Sequence, residues 1–436
     1  MAITTKIVFF VIFSGFGLFI NGALGRRSGI FKANATNQTV AFAHDLSSDV
    51  GTCQSRIKIF GYPCEDHTVT TKDGYILSLQ RIPGGRPGSA SSGNKIPILL
   101  QHGLFMVGYR YWDGLTWFVN SPNESLGYVL ADEGYDVWIA NTRGTIYSLA
   151  HTSLSSNDPA YWDWSWDELV GYDLPAFVGY VYEKTGKQKI HYVGHSLGTL
   201  IALGSFSEQN LISMVRSAAL LSPIAYLDQL PSPFMQGAAR LYLGEELYQL
   251  GITRFNPNGE EAQKLLARLC QLSGINCYDL MTAITGQNCC LNSSTVQIFL
   301  DHEPQSSSTK NLIHLTQNSD LSVNQTVSKS AVVRTGTVTK YDYGDGGKNM
   351  EHYGQSTPPA YNIAGIPADF PLFLSYGGAD ILSDVADVRH LLGVLAGHDA
   401  KAQYIGEYAH ADFIFAVNAK QKVYDPMVAF FKQHES

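Results

Sequence analysis

Short apolar runs that alternate with amphipathic stretches organise most of this chain. The runs are rich in β-branched and aromatic residues, which is typical of strands buried on both faces. They occupy residues 96–101, 135–141, 189–193, 217–222, 370–376 and 402–408. Helical stretches separate them, notably residues 166–185. Because such alternation is typical of βαβ units, the pattern predicts an α/β protein with a mostly parallel central sheet and helices on both faces.

Two further extended runs, residues 66–71 and 75–82, precede this alternation. Asp73 and Gly74 lie between them, and an Asp-Gly pair between two extended runs indicates a hairpin turn. A loop rich in Gly, Ser and Pro follows at residues 83–94. We therefore expect an antiparallel hairpin at the start of the folded chain.

The strand rhythm breaks after residue 222. Residues 240–250 and 260–272 carry apolar positions three and four apart, which is the spacing of amphipathic helices. Strand-like runs resume at residue 370, and a final helix is predicted from about residue 426. We divide the chain into a core of residues 51–222 and 350–436 and an inserted, mainly helical cap or lid at residues 223–349.

The N-terminus is predicted to lie outside this fold. Lys6 precedes an apolar run over residues 7–20, and small residues follow it, so residues 1–25 have the pattern of a secretory signal peptide. An uncleaved membrane anchor is the alternative, but the run is shorter than the roughly 20 residues of a membrane span. Residues 26–50 form a polar segment. No later run is long and apolar enough to cross a bilayer, so we expect no integral span after cleavage.

Sequons and cysteines agree with export through an oxidising compartment. The five Asn-x-Ser/Thr sequons are at Asn34, Asn37, Asn123, Asn292 and Asn324. We therefore expect a glycosylated protein of the secretory pathway, which is either extracellular or vacuolar/lysosomal.

The six cysteines form two groups. Cys53 and Cys64 lie close together before the core, whereas the other four cluster in the insertion, where they allow three pairings: Cys270, Cys277, Cys289 and Cys290. The adjacent Cys289 and Cys290 are expected to take separate partners. Zinc is the alternative for such a cluster, but no Cys-x2-Cys or paired His spacing supports it. We predict no metal and no other cofactor.

Composition and charge limit the classes of molecule that this protein is expected to bind. The 436 residues are 45% hydrophobic, which suits a large core, and the net charge is −8. Such a chain offers no basic surface to neutralise phosphates, so nucleic acid is excluded as a partner. The oligomeric state is not indicated.

A Gly-x-Ser-x-Gly motif at residues 194–198 joins the run at 189–193 to a small-residue helix predicted over residues 199–206. In this context the motif forms a nucleophile elbow, a strained turn that exposes the serine hydroxyl, while the glycines let strand and helix approach closely. The helix also directs its N-terminal amides at the site. An ordinary Gly-rich turn is the alternative. We predict that Ser196 is a catalytic nucleophile.

A serine hydroxyl needs a base to take its proton and an acid to orient that base. Asp380 follows the run at residues 370–376 in a glycine turn, and His410 follows the run at 402–408. Serine, acid and histidine then occur in the order found in α/β-hydrolases. Helix capping is an alternative role for Asp380. The other candidates are Asp384 and Asp387 for the acid, and His352, His390 and His398 for the base.

The oxyanion of a tetrahedral intermediate needs backbone donors. We predict the N–H groups of Leu197, which follows the nucleophile, and of Leu104, in the loop after the strand at 96–101. His102 is expected to shape this loop through a structural hydrogen bond. Arg143 lies just after the strand predicted at residues 135–141, and its guanidinium could bind a carboxylate. Residues 161–168 hold three tryptophans, for which a packed helix start is favoured over a sugar or cofactor platform.

In their order, these motifs resemble those of acid lipases of the gastric and lysosomal type, and most of all the plant members. The matching stretches are Gly61-Tyr62-Pro63, Thr71-Lys72-Asp73-Gly74-Tyr75, Gln101-His102-Gly103-Leu104, Asn141-Thr142-Arg143-Gly144 with Tyr147-Ser148, residues 161–168, Tyr172-Asp173-Leu174-Pro175-Ala176, residues 192–199, Gly377-Gly378-Ala379-Asp380 with Asp384 and Asp387-Val388, and Ala409-His410-Ala411-Asp412-Phe413. The resemblance spans about residues 50–435.

The resemblance implies an α/β-hydrolase fold with a lid in the cap domain. It also implies Ser196 as nucleophile, Asp380 as acid, His410 as base, and an oxyanion hole at Leu104 and Leu197. Members of this family hydrolyse triacylglycerols, and some hydrolyse sterol esters, often at acidic pH.

We therefore expect a secreted serine lipase that forms an acyl-enzyme with a lipid ester at a lipid–water interface. Two alternatives stay open. The first is a carboxylesterase or acyltransferase for short or soluble esters, and the second is a hydrolase-fold receptor or scaffold without turnover.

Overall fold

The computed structural model describes residues 51–88, 95–104, 115–227, 245, 248–256, 280–292, 305–317 and 337–435. Several predicted features lie outside these residues. They are the signal peptide and polar segment at 1–50, Asn34, Asn37, Asn324, Cys270, Cys277, the helix at 260–272 and most of the helix at 240–250.

Within the described residues, nine strands form one sheet in the order β1-β2-β4-β3-β6-β7-β10-β11, with β5 paired to β2. These strands are β1 Glu65–Thr70, β2 Tyr75–Ile82, β3 Pro97–Gln101, β4 Asp136–Asn141, β5 Ala150–His151, β6 Ile190–His195, β7 Val215–Leu221, β10 Leu372–Gly377 and β11 Ala400–Ile405. A separate antiparallel pair in the insertion joins β8 Arg254–Phe255 to β9 Ser307–Ser308.

The sheet is mostly parallel, as the sequence pattern predicts. Strands β1, β2 and β4 are antiparallel neighbours, with Glu65 opposite Arg81 in the hairpin. Every pair from β4 across to β11 is parallel. The predicted α/β fold and hairpin are therefore confirmed. Because the parallel strands share one direction, the loops that follow β3, β6, β10 and β11 meet at one edge of the sheet.

The described α-helices are α1 Leu126–Asp132, α2 Trp166–Glu168, α3 Leu174–Lys184, α4 Leu197–Ser207, α5 Leu280–Thr285, α6 Thr309–Gln317, α7 Gly346–Tyr353, α8 Val385–Val394, α9 Asp412–Phe415 and α10 Asp425–Gln433. Wider or tighter helical turns occupy Cys53–Ile57, Lys58–Phe60, Leu115–Trp117, Pro159–Trp162, Leu169–Asp173, Ile363–Gly365 and Lys420–Tyr424. No described helix has the length and apolarity that a membrane span needs. The cap boundaries at 223 and 349 stay a prediction.

Two apolar clusters cover the two faces of the sheet. Side chains of β4 alternate between them, because successive strand residues point to opposite faces. Trp138 packs in the cluster with α3 and α4, whereas Val137 and Ile139 pack in the cluster with α1 and α10. This two-sided burial explains why the strands are continuous apolar runs.

The tryptophan-rich stretch at residues 161–168 is a helix start packed into the core. Trp162, Trp164 and Trp166 are all buried. Ser165 caps α2 by accepting a hydrogen bond from the Asp167 N–H, and the Glu168 side chain accepts the Ser165 N–H in return. The favoured interpretation of this stretch agrees with the structure.

Cys53 and Cys64 form a disulfide at the start of the core. The expectation that Cys289 and Cys290 take separate partners is wrong, because the structure joins these neighbours to each other. The tight turn that places them side by side is held by the Asp412 carboxylate, which accepts both of their backbone N–H groups. The sequon residues Asn123 and Asn292 are exposed.

Arg143 anchors two carboxylates of the protein itself. Its guanidinium donates to Asp73 at 2.6 and 3.0 Å and to Asp173 at 2.7 Å, and it stacks 3.8 Å from the centre of the Tyr75 ring. Arg143 and Asp173 are both 1% exposed. Burial alone would lower the pKa of Arg143, but the two carboxylates raise it above its ordinary value. This cluster ties the hairpin turn to the loop after β4 and to the start of α3.

Replacement of Arg143 by methionine is expected to lower the free energy of unfolding by about 3–5 kcal/mol, because Asp173 would become an unpaired buried charge. The Arg86→Met variant is the matched control. Arg86 is 40% exposed in its ion pair with Asp132, and its loss should cost less than about 1 kcal/mol. Urea unfolding measures both changes, and equal losses would contradict the assignment of Arg143 to the buried cluster.

Candidate active site

Ser196 occupies the sharp turn between β6 and α4. Its backbone has φ 55° and ψ −121°, a strained conformation for a residue with a side chain. A Cβ on Gly194 would lie 2.8 Å from Gly198, and one on Gly198 would lie 2.5 Å from the Gln101 carbonyl oxygen. Glycine at both positions is therefore required by the close approach of strand, helix and neighbouring loop. This is the geometry expected of a nucleophile elbow.

The loop after β3 lies directly on Ser196. A Cβ on Gly103 would stand 2.8 Å from the Cβ and 3.3 Å from the Oγ of Ser196. Leu104 is the next residue of this loop, and Leu197 begins α4. The two residues proposed to supply oxyanion donors thus flank the serine from two different elements.

His102 holds this loop in shape. Its Nε2 accepts the Thr142 N–H at 3.2 Å, so its Nδ1 carries the proton and donates to the Gly103 carbonyl at 2.7 Å. Burial lowers the pKa of His102 to about 4, which keeps the ring neutral. These contacts fit the structural role expected of His102.

Asp380 lies in the turn after β10 and is almost fully buried. Its Oδ1 accepts the N–H groups of Leu382 at 2.9 Å and Ser383 at 2.8 Å, and its Oδ2 lies 2.9 Å from His410 Nδ1. Burial alone would raise the pKa of Asp380, but His410 and the two amides hold it below its ordinary value. Asp380 is therefore an ionised partner for the imidazole.

His410 lies between β11 and α9. Its Nδ1–H donates to Asp380, which leaves Nε2 as the ring atom that can accept a proton. This Nε2 is buried and has no hydrogen-bond partner in the described part of the chain. The His410 carbonyl accepts a hydrogen bond at 3.1 Å from Nε2 of His195, the residue before Ser196, and the two rings lie 4.9 Å apart. Burial lowers the pKa of His195 to about 3, so this neighbour stays neutral.

The alternative acids and bases have other surroundings. Asp384 caps α8 by accepting the Ala386 N–H, and Asp387 lies in the first turn of that helix. The remaining histidines contact distant groups: His352 stacks on Tyr343, His390 packs against Tyr226 and His398 contacts the Ile366 carbonyl. The structure brings Asp380 and His410 together, whereas Asp384 and the three other histidines make the contacts just described.

Three residues near the site were missed by sequence reasoning. The Ser383 hydroxyl donates to the Pro223 carbonyl at 2.7 Å and so ties the Asp380 turn to the start of the insertion. The Thr285 carbonyl accepts the His410 N–H at 3.0 Å. Asp412 accepts the Ala409 N–H at 2.8 Å. Of the three, only Asp412 could have been found from the sequence, because it lies in the motif that contains His410. Thr285 is far from this motif along the chain.

Cys289, Cys290 and Asp412 are the described cluster whose composition could hold a metal ion. The disulfide removes both thiolates, and the carboxylate is already bound to three backbone amides. Since zinc requires deprotonated thiols, this cluster does not fit a zinc site.

Comparison with known proteins supports the fold and the family. A family model for a partial α/β-hydrolase lipase region matches residues 53–113, and one for the α/β hydrolase fold matches residues 96–252. The structure of a soluble variant of monoglyceride lipase from Saccharomyces cerevisiae has a TM-score of 0.51 at 15% identity, covering 86% of this chain and 95% of that chain. This last likeness concerns the fold alone.

Two relatives are similar along nearly their whole length. Triacylglycerol lipase 2 of Arabidopsis thaliana is 48% identical over 388 residues, 88% of each chain. Lysosomal acid lipase/cholesteryl ester hydrolase of Macaca fascicularis is 33% identical over 390 residues, 87% of this chain and 90% of the relative. The predicted family is confirmed: the chain belongs to the acid lipase family of α/β-hydrolases and is an ester hydrolase of the triacylglycerol lipase type.

Proposed function

We propose that this protein hydrolyses the ester bonds of triacylglycerols at a lipid–water interface, with Ser196 as nucleophile, His410 as base and Asp380 as its orienting acid. The observation that carries the proposal is the Asp380–His410 pair, with 2.9 Å between Oδ2 and Nδ1 and an Nε2 that finds no hydrogen-bond partner among the described residues. The strained turn at Ser196, next to the histidine that contacts the His410 backbone, supports the same assignment.

The proposed reaction proceeds through an acyl-enzyme. Ser196 Oγ attacks the ester carbonyl while His410 Nε2 takes its proton, and ionised Asp380 stabilises the resulting imidazolium. The backbone N–H groups of Leu104 and Leu197 bind the oxyanion. The imidazolium then protonates the leaving alcohol. A water molecule, activated by the same base, releases the fatty acid and restores the serine.

The substrate class rests on the family and on the contact of the insertion with residues beside Ser196. The named relatives act on triacylglycerols or cholesteryl esters. The proposed oxyanion residues Leu104 and Leu197 line a small cavity together with residues 305–307 and Asn311 of the insertion. Because the insertion reaches the serine site, we propose that it forms the cap over a bound acyl chain and includes the lid. We propose sterol esters as a second substrate class, because the same acyl-enzyme reaction hydrolyses their ester bond.

We also propose that the protein enters the secretory pathway and is extracellular or vacuolar/lysosomal. The signal-peptide pattern at residues 1–25, the disulfides and a relative named as a lysosomal lipase support this location. The described sequon residues Asn123 and Asn292 are accessible to glycosylation. We propose glycans at these two positions and at Asn34, Asn37 and Asn324.

The test compares one triacylglycerol below and above its solubility limit. The purified glycosylated protein should release fatty acid with a rate that rises steeply once droplets form, because a lid opens onto a lipid surface. A fluorophosphonate probe should label the peptide that contains Ser196.

Each other outcome would support one of the two alternative functions. Activity that is confined to dissolved short esters would replace the lipase with a carboxylesterase or acyltransferase. Absence of both labelling and turnover would leave a receptor or scaffold.

A further inference from the structure

One segment of the insertion is built into the loops that carry Asp380 and His410. We call residues 285–291 the anchor segment. At its start, the Thr285 carbonyl accepts the His410 N–H at 3.0 Å, and Gly286 forms an antiparallel bridge with Asp380. At its end, the Cys290 carbonyl accepts the Val417 N–H at 3.0 Å. The segment therefore contacts the Asp380 turn and, on either side of α9, His410 and Val417.

Asp412 contacts the anchor segment from the stretch of chain that carries His410. It is fully buried and follows His410 by two residues. One carboxylate oxygen accepts the N–H groups of Ala409 at 2.8 Å and Cys289 at 3.1 Å, and the other accepts the Cys290 N–H at 3.2 Å. One side chain thus bonds the residue before His410 and two residues of the anchor segment.

We propose that Asp412 is a positioning residue for the catalytic base, because its carboxylate joins the His410 loop to the anchor segment. The proposal rests on the proposed function, in which His410 is that base. Asp412 acts only through His410, whose backbone is held by Thr285 and whose ring is held by Asp380. The disulfide between Cys289 and Cys290 contributes to the same contact, since it fixes the turn that presents their two successive N–H groups to the Asp412 carboxylate.

The chemistry of the three donors explains why a carboxylate is needed at position 412. All three partners are backbone N–H groups, so the side chain must offer acceptors only. An asparagine has the same shape but turns an NH2 group toward at least one of these donors. It therefore loses a bond and leaves a backbone N–H facing an NH2 group that cannot accept it. The loop that carries His410 would then shift relative to Asp380 and Ser196.

The experiment compares Asp412→Asn with wild type on a soluble short-chain ester, well below the unfolding temperature of each protein. We expect kcat to fall roughly 10- to 100-fold, since small displacements of reacting groups have effects of this size. KM should stay within about twofold, because the substitution changes none of the residues that line the cavity at Leu104 and Leu197. The Asp412→Glu variant keeps an ionised acceptor and should recover part of the lost kcat.

Asp136→Asn is the matched control. Asp136 is equally a buried carboxylate, and it accepts hydrogen bonds from Arg81 and Trp138 at the far end of the strands. This variant should lose stability but retain kcat. If Asp412→Asn retains kcat within about twofold of wild type, the positioning role is refuted and only a structural role is left.

A second variant tests the other end of the anchor segment. Gly286 has φ 91°, and a Cβ there would collide with the Ala379 carbonyl oxygen beside Asp380. Gly286→Ala should therefore lower kcat with little change in KM. If Asp412→Asn does not fold, Gly286→Ala serves as the test of the positioning role. A wild-type kcat in Gly286→Ala would also refute the proposal. Failure of the proposed function is separate: it would appear as unlabelled Ser196 in the wild-type protein.

Discussion

Replacement of Ser196 by alanine is expected to lower kcat for triacylglycerol hydrolysis by roughly 10⁵- to 10⁶-fold. The hydroxyl is the proposed nucleophile, so its removal eliminates the acyl-enzyme and leaves only the oxyanion donors and the binding of substrate. Titration of released fatty acid from an emulsion measures the loss. The fold should persist, because alanine keeps the Cβ that packs against Gly103. Within the described ranges, the Ser196 hydroxyl makes no hydrogen bond that would hold the elbow.

Ser205→Ala is the matched control for this substitution. Ser205 is a buried serine of α4, the helix that begins beside Ser196, and its hydroxyl donates to the Val170 carbonyl at 3.0 Å. This variant should retain full activity while losing about 1 kcal/mol of stability. Substantial triacylglycerol hydrolysis by Ser196→Ala, with an unchanged urea midpoint, would sink the assignment of the nucleophile.

The sheet could be predicted from the sequence because its strands are buried on both faces and therefore appear as continuous apolar runs. Their ends were less certain. The run at 402–408 predicted a strand that ends at Tyr408, but β11 ends at Ile405, and Tyr408 is a buried loop residue. Burial alone does not distinguish a strand from a loop that packs into the core. Likewise, the helix predicted over 166–185 contains a wide turn at Leu169–Asp173, just before Pro175, which has no N–H to donate.

The Asp380–His410 pair could also be predicted, since parallel strands bring the loops at their carboxyl ends to one edge of the sheet. The anchor segment could not. Thr285 lies 125 positions before His410, and its contribution is a backbone carbonyl, which leaves no trace in residue type. The pairing of Cys289 with Cys290 was missed for a related reason, because the turn that joins them depends on Asp412 from a distant loop.

Replacement of Asp380 by asparagine is expected to lower kcat roughly 10⁴-fold, by reversing the tautomer of His410. The Leu382 and Ser383 N–H groups bind the Oδ1 position, so the amide oxygen of the asparagine would occupy it. The NH2 group would then take the place of Oδ2, the nearer of the two carboxylate oxygens to His410 Nδ1, at 2.9 Å against 3.1 Å for Oδ1. Since an NH2 group donates, Nδ1 would become the acceptor and Nε2 would carry the proton, so the ring could no longer accept the Ser196 proton.

Hydrolysis of a soluble ester across a pH series would measure this loss, together with the rate of fluorophosphonate labelling, which should fall in parallel because it needs the same base. Asp384→Asn is the matched control. Asp384 caps α8 through the Ala386 N–H, and asparagine caps helices about as well as aspartate, so activity and stability should both be retained. A loss of less than about tenfold in Asp380→Asn would mean that His410 keeps its working tautomer without this carboxylate, and that the acid of the triad has been misassigned.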